Sequence, residues 1–186
     1  LFFSENLKAQ IFLEQNKIDS AFVNAKKAFY GLPKNALHAS TFAQTLAVKK
    51  DVIETKKAFD LLSKKSGPVI WKNFLIVLSQ IVEGGEKDLV KFATQAAKLF
   101  PEDKELFSLK KLAVIGNANI NSANLISKEG LNFFNKGLYI EAALKFESAA
   151  SIDSLEYAHF ENAASAYFMG GDYGKAIIYS EKVMNN

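Results

Sequence analysis

Two histidines and one glycine-rich segment are the parts of this sequence whose residue types could support metal or phosphate chemistry. His38 and His159 each stand without a second histidine at metal-ligand spacing, and the chain contains no cysteine. Residues 84–87, of sequence GGEK, lack the spacing of a phosphate-binding loop and follow no predicted strand. The sequence therefore predicts no metal site and no cofactor-binding residue.

Catalytic side chains are equally hard to find. No serine lies in the GxSxG pattern of a nucleophile elbow. Glu83, Glu86 and Asp88 are close in sequence, but they fall in a predicted turn between helices rather than in a pocket that would hold an acid and a base. We therefore expect no catalytic residue and a protein that is not an enzyme.

The composition excludes two further classes of function. All 23 basic residues are lysine, so the planar guanidinium fork that reads guanine is missing, and the net charge is only +3. We therefore expect no nucleic-acid partner. No apolar run reaches the roughly eighteen residues that span a bilayer, so no direct membrane insertion is expected.

The start of the chain bears on what surrounds it. The sequence begins at Leu1, without an initiator methionine or a signal peptide. We interpret it as a fragment of a longer protein. Its location, cytoplasmic or periplasmic, is left open, because a targeting segment would lie outside the fragment.

The elements that would position any site repeat along the chain. Pro33, Pro68 and Pro101 are 35 and 33 residues apart, and each follows an apolar stretch that is typical of a helix. Small and apolar residues recur at a step of 34 in three sets: Ala21, Thr55 and Leu89; Ala25, Phe59 and Ala93; Ala28, Leu62 and Ala96. One period kept at independent positions indicates a repeat protein.

The C-terminal third contains the clearest repeats. Its glycine, aromatic and alanine positions recur 34 residues apart, at Gly130, Phe133, Gly137, Tyr139, Ala142, Phe146 and Ala149, and then at Ala164, Tyr167, Gly171, Tyr173 and Ala176. This pattern resembles a tetratricopeptide repeat, a hairpin of two helices that approach closely where the residues are small. One hairpin alone cannot bury its apolar face, so such repeats are stable when they stack.

The resemblance implies an all-α fold, an α-solenoid of antiparallel helix hairpins in a right-handed superhelix, with about five repeats plus one odd helix. Residues 1–103 would form three degenerate hairpins, in which Asn16 replaces the turn glycine of the first and Lys50 departs from the pattern in the second. Residues 104–122 would hold an extra helix and a connector. Residues 123–186 would form two well-matched units.

The extra segment allows two interpretations. Residues 104–115 have apolar positions at helical spacing, and the sequence GNAN at 116–119 favours a helix break. The segment is either a degenerate hairpin whose second helix is missing or merged, or a helix that caps the first three units, with a hinge before the last two.

Ligand binding is the function that the resemblance implies. In this family the first helices of successive hairpins line a concave groove that holds a peptide or a partner's helix. Carried over to this chain, the groove residues are Asn124, Ser127, Leu131, Phe134 and Asn135 in the fourth unit, and Glu161, Asn162, Ser165, Phe168 and Met169 in the fifth. The family's lysine and asparagine clamp for chaperone C-termini is not reproduced, because Ser127 and Leu131 occupy its places. Alternatively, the large groove side chains cover the neighbouring hairpin.

We therefore predict a non-catalytic scaffold that binds a protein or peptide through its concave face. The alternative is a soluble tail of a bacterial membrane-embedded ligase or polymerase of surface polysaccharides, of the O-antigen type, since some of these enzymes resemble membrane proteins followed by tetratricopeptide tails. Hydrophobic spans upstream in the full-length gene would support that alternative. Because no capping helix follows the last repeat in the sequence, self-association through this repeat is a further expectation.

Overall fold

The computed structural model describes residues 1–184, which form eleven α-helices and no β-strand, so the all-α prediction is confirmed. The chain divides into two compact units, Leu1–Val114 and Ile115–Asn186. The helices of the first unit are α1 (Phe2–Glu14), α2 (Ile18–Gly31), α3 (Ala36–Lys49), α4 (Val52–Phe59), α5 (Pro68–Ile81), α6 (Lys87–Leu99) and α7 (Lys104–Ile115), whose last residue reaches the boundary. Those of the second are α8 (Asn117–Asn135), α9 (Tyr139–Ile152), α10 (Tyr157–Met169) and α11 (Tyr173–Met184).

Each unit is built from helix hairpins of the tetratricopeptide type. In the first unit α1 pairs with α2, α3 with α4, and α5 with α6, while α3 also packs against α2 and α5. In the second unit α8 pairs with α9, and α10 packs against both α9 and α11. The described part of the chain therefore contains five hairpins and one odd helix, α7, as the repeat pattern predicts.

The core of the first unit is a group of aromatic rings enclosed by alanines. Phe29 of α2, Phe42 of α3 and Phe74 of α5 have no exposed surface. The ring centroid of Phe29 lies 5.2 Å from that of Phe42 and 5.1 Å from that of Phe74. Ala9 and Ala25 are also fully buried, and such small residues let the helices approach each other. The 34-residue step in the sequence thus follows from alternating small and large core positions.

The turns inside the hairpins share one backbone conformation. Asn16, Lys50, Gly85, Gly137 and Gly171 all have a positive φ, between 53° and 88°, and each stands between the two helices of one hairpin. This left-handed conformation ends the first helix and lets the chain reverse. Lys50 adopts it although a lysine departs from the family pattern, so the departure at this position concerns residue type and not geometry.

The odd helix, α7, packs into the first unit. Leu106 and Ala113 have no exposed surface and lie in that unit's hydrophobic core, and the Gly85 N–H donates a 2.7 Å hydrogen bond to the Ala113 carbonyl oxygen. Because α8 begins at Asn117, Gly116 alone separates the two helices, and the stretch expected to be a connector up to residue 122 instead forms the first turns of α8. The hinge stays a prediction.

The second unit depends on one close approach between its first two helices. A Cβ atom on Gly130 of α8 would lie 2.9 Å from the Phe146 ring and 3.2 Å from the Lys145 Cβ of α9. The glycine predicted at a close helix contact is therefore used there, against Phe146. The surrounding core contains Ala142, Ala143, Phe146, Ala163, Ala166 and Tyr167.

Candidate binding groove

All ten residues that the resemblance assigns to a groove lie in the second unit, on two helices. α8 carries Asn124, Ser127, Leu131, Phe134 and Asn135, and α10 carries Glu161, Asn162, Ser165, Phe168 and Met169. Seven of the ten are exposed, Phe134 and Asn162 are half-buried, and Ser127 is buried. The Ser127 hydroxyl is therefore not accessible to a ligand in this structure.

Four of the ten residues meet at one cavity. Phe134, Ser165, Phe168 and Met169 line an open groove of about 800 Å³. The rest of the wall comes from Ala164 and from one face of α11, namely Tyr173, Ala176, Ile177, Ser180, Glu181 and Met184. The groove therefore lies between α10 and α11, with one ring from α8, rather than along the first helices of both hairpins.

The α11 wall consists of residues that the sequence analysis did not assign to a groove. Tyr173, Ile177 and Met184 are 61%, 59% and 78% exposed. Steps of four and seven residues place them on one side of the helix. The same spacing also describes a helix face buried in a core, so the sequence pattern by itself does not identify a groove.

The lining of the groove is apolar and adaptable in shape. Both methionines of the chain, Met169 and Met184, belong to it. A methionine side chain is unbranched and polarisable, so it adjusts to partners of different shape. The polar atoms in the lining come from the hydroxyls of Ser165, Ser180 and Tyr173 and from the Glu181 carboxylate.

Phe134 and Phe168 occupy equivalent positions in successive hairpins but have different surroundings. Phe134 is half-buried, packs on the core of the second unit, and lies edge-on to Tyr139 with ring centroids 5.2 Å apart. Phe168 is 60% exposed and lies 5.6 Å from Tyr173 in the same edge-on arrangement. Phe134 thus partly covers its own unit, whereas most of the Phe168 ring faces solvent.

A network of hydrogen bonds and charges joins α9, α10 and α11. The Tyr167 hydroxyl donates a hydrogen bond to the Glu147 carboxylate, and Lys175 Nζ lies 3.7 Å from that carboxylate and 3.1 Å from Tyr167 Oη. The hydrogen bond from Tyr167, with a second from Tyr179, holds the pKa of Glu147 below its ordinary value of 4.5. Burial, and the hydrogen bond to Glu147, raise the pKa of Tyr179. These groups hold three helices together and leave Glu147 ionised at neutral pH.

Metal binding and membrane insertion find no support in the described residues. His38 and His159 are both buried, one in each unit, and His38 Nδ1 lies 3.1 Å from the Ala28 carbonyl oxygen. Within residues 1–184, no group of three or more histidine, aspartate or glutamate side chains is placed to hold a metal ion. In the same residues, no helix combines the length and the apolar character that crossing a membrane requires.

Comparisons with known proteins find similarity to solved structures. No protein-family model matches the chain, and no curated protein sequence matches it. The TPR2AB-domain:pHSP90 complex of yeast Sti1 is 14% identical with a TM-score of 0.43, covering 99% of this chain and 76% of that one. A structure of MamA is 17% identical with a TM-score of 0.34, covering 99% and 90%. YrrB, described as a TPR protein with an unusual peptide-binding site, is 19% identical with a TM-score of 0.34, covering 95% and 81%. Because these values are low, the fold assignment rests on the hairpins, turns and period described above.

Proposed function

We propose that this chain is a non-catalytic scaffold that binds a helical segment of a protein in the groove between α10 and α11. The main support is the groove itself, an open apolar cavity of about 800 Å³ lined by long, exposed side chains. Exposed apolar surface of this extent marks interaction sites in soluble domains.

The position of the groove in the repeat favours a helix as the ligand. α10 packs on α9, where Ala143 and Ala150 are buried. The residues 34 positions later, Ile177 and Met184 of α11, are 59% and 78% exposed. The groove is therefore equivalent to the surface of α9 that receives α10. An amphipathic helix that runs in the direction of α10 fits such a surface.

Three side chains are expected to dominate the affinity. Phe168, Ile177 and Met184 are large, apolar and exposed, and together they represent both helices that form the groove. A few large residues near the centre of an interface usually contribute most of the binding energy. We expect the groove hydroxyls to adjust the orientation of the ligand rather than its affinity.

The proposal is tested by capturing partners from a lysate of the source organism with the wild-type chain and with Phe168→Ala and Ile177→Ser. Both variants change exposed side chains, so the circular dichroism spectrum and the melting temperature should stay unchanged. Capture of the principal partner should fall at least tenfold. Ile53→Ser is the matched control, because Ile53 is a 70% exposed isoleucine on α4 of the first unit. If both groove variants retain every partner, the groove is not the binding site.

Self-association through the same hairpin is a second candidate. The exposed apolar face of α11 supports it, because Ile177 and Met184 remain in water in a single copy. A second copy of the chain would cover these side chains if it presented a complementary helix.

A further inference from the structure

The first helix of the chain presents an apolar face with the spacing that the groove requires. Phe3, Leu7 and Ile11 of α1 are 63%, 58% and 45% exposed. They are four residues apart and so lie along one side of the helix. Ala9, on another side of α1, is fully buried in the core of the first unit. α1 and α10 are both the first helices of their hairpins, and both have 13 residues.

The exposed side of α1 corresponds to the side of α10 that faces the preceding hairpin. In α10 that side contains Ala166, which is fully buried, and Gly170, where a Cβ atom would lie 2.5 Å from Ile140 of α9. Ala166 stands five residues before its turn residue, Gly171, and Ile11 stands five residues before Asn16. Ile11 therefore lies on the face that would contact α11 if α1 were placed in the groove in the way that α10 is placed on α9.

Charge favours the same orientation. Glu161 and Glu181 are exposed and lie towards the end of the groove where α10 begins and α11 ends. A helix parallel to α10 would place its amino end there, and this end of a helix carries partial positive charge. The carboxylate in the first turn of α1, Glu5, is already paired with Lys8 at 3.1 Å, so it opposes this arrangement only weakly.

We propose that the groove between α10 and α11 binds α1 of a second copy of this chain, so that copies associate head to tail. This inference rests on the proposed function and names the partner of the same groove. Leu7 and Ile11 of one copy would pack against Ile177 and Met184 of the next. Because the two contacting surfaces are different, each copy retains one free groove and one free α1, and assembly continues beyond the dimer.

The test uses sedimentation velocity of the chain over a hundredfold range of concentration, with the variants Leu7→Glu and Ile177→Glu. Both positions are exposed in a single copy, so neither variant should change the circular dichroism spectrum. The wild-type mass should rise with concentration past that of a dimer, and each variant alone should stay monomeric. Ile53→Glu, on the exposed side of α4, is the control and should assemble like the wild type.

Mixing the two variants gives the decisive result. Ile177→Glu keeps an intact α1, and Leu7→Glu keeps an intact groove, so an equimolar mixture should form dimers and nothing larger. A contact of groove with groove would instead leave Leu7→Glu able to dimerise, and this outcome would overturn the head-to-tail arrangement.

The failure of this inference differs from the failure of the proposed function. A wild-type chain that stays monomeric at every concentration overturns self-assembly. If Ile177→Ser then still loses captured partners, the groove binds another protein and the proposed function stands. If the chain assembles, and the Leu7→Glu and Ile177→Glu variants assemble equally well, both the groove and α1 are excluded as the contact.

Discussion

Lys50 is strained by its place in the repeat. Its φ of 53° and ψ of 37° lie in the left-handed region, where the Cβ atom crowds the following carbonyl oxygen. Among the equivalent turn residues, three are glycines and Asn16 is an asparagine, a residue that tolerates this region better. The conformation persists in the second hairpin because α4 must begin directly after it, where the Asp51 carboxylate accepts a 2.9 Å hydrogen bond from the Glu54 N–H.

Replacing Lys50 by glycine should therefore stabilise the first unit. Relief of about 1–2 kcal/mol of strain exceeds the roughly 0.5–1 kcal/mol of added chain entropy in the unfolded state. We expect the free energy of unfolding to rise by about 0.5–1 kcal/mol. Urea denaturation followed by the fluorescence of Trp71, the single tryptophan of the chain and a buried residue of the first unit, measures it.

Gly137 provides the opposite control for this substitution. It has a φ of 74°, and no atom lies within 4 Å of the place where a Cβ would stand. Gly137→Ala should therefore lower the stability of the second unit by about 1–2 kcal/mol through the backbone alone. If Lys50→Gly is destabilising while Gly137→Ala behaves as expected, the side chain of Lys50 makes a contact that outweighs its strain.

At the scale of elements, the hairpins depend on how closely two helices approach. α8 and α9 meet where Gly130 faces Phe146, and the Phe146 ring is only 1% exposed. A buried ring in a packed core has no space into which it can move. The Lys145 Cβ, 3.2 Å from the place of an added methyl group, is fixed by the backbone of α9.

Gly130→Ala should accordingly destabilise the second unit. The overpacking cost, about 1–3 kcal/mol, exceeds the gain in helix propensity of roughly 1 kcal/mol, so we expect a net loss of about 1 kcal/mol. Thermal denaturation followed by circular dichroism measures this loss.

Gly174→Ala is the matched control within the same unit. Gly174 is also helical, in α11, but an added Cβ would meet only the Asp172 Oδ1 at 3.8 Å. This variant should be neutral or more stable, because alanine favours the helix. Equal losses in Gly130→Ala and Gly174→Ala would show that the close approach to Phe146 is not the cause.

At the scale of the whole molecule, the chain has two hydrophobic cores. The core of the first unit extends from Ala9 to Ala113, and that of the second from Ala142 to Tyr179. The two clusters share no residue. Cooperative unfolding follows shared packing, so separate cores favour separate transitions.

We therefore predict that the two units unfold independently. Tyr167→Ala removes a ring that is 1% exposed from the second core and should cost about 3–5 kcal/mol there. Amide hydrogen exchange in α8–α11 should accelerate, while the urea midpoint reported by Trp71 should not move. Phe74→Ala, in the first core, should shift the Trp71 midpoint and leave exchange in α8–α11 unchanged. A common shift of both signals in either variant would contradict independence.

Most of the fold can be predicted from the sequence. The helices, the hairpin turns at Gly137 and Gly171 and the odd helix after Pro101 follow from local rules, because glycine, proline and the spacing of apolar residues act over a few positions. The conformation of Lys50 and the start of α8 at Asn117 do not follow from those rules. In both cases the packing of neighbouring helices overrides the local preference of the residue.

The sequence by itself determined the repeat, the number of hairpins and the helices on which groove residues would lie. Only the tertiary structure decided that Ser127 is buried and that Phe168 and Met169 form a cavity with Ile177 and Met184 rather than with the rest of α8. The physical reason is that a stripe of apolar residues has the same spacing whether another helix covers it or water does. The difference lies in the presence or absence of a neighbouring helix, and the spacing of residues along one helix contains no information about its neighbours.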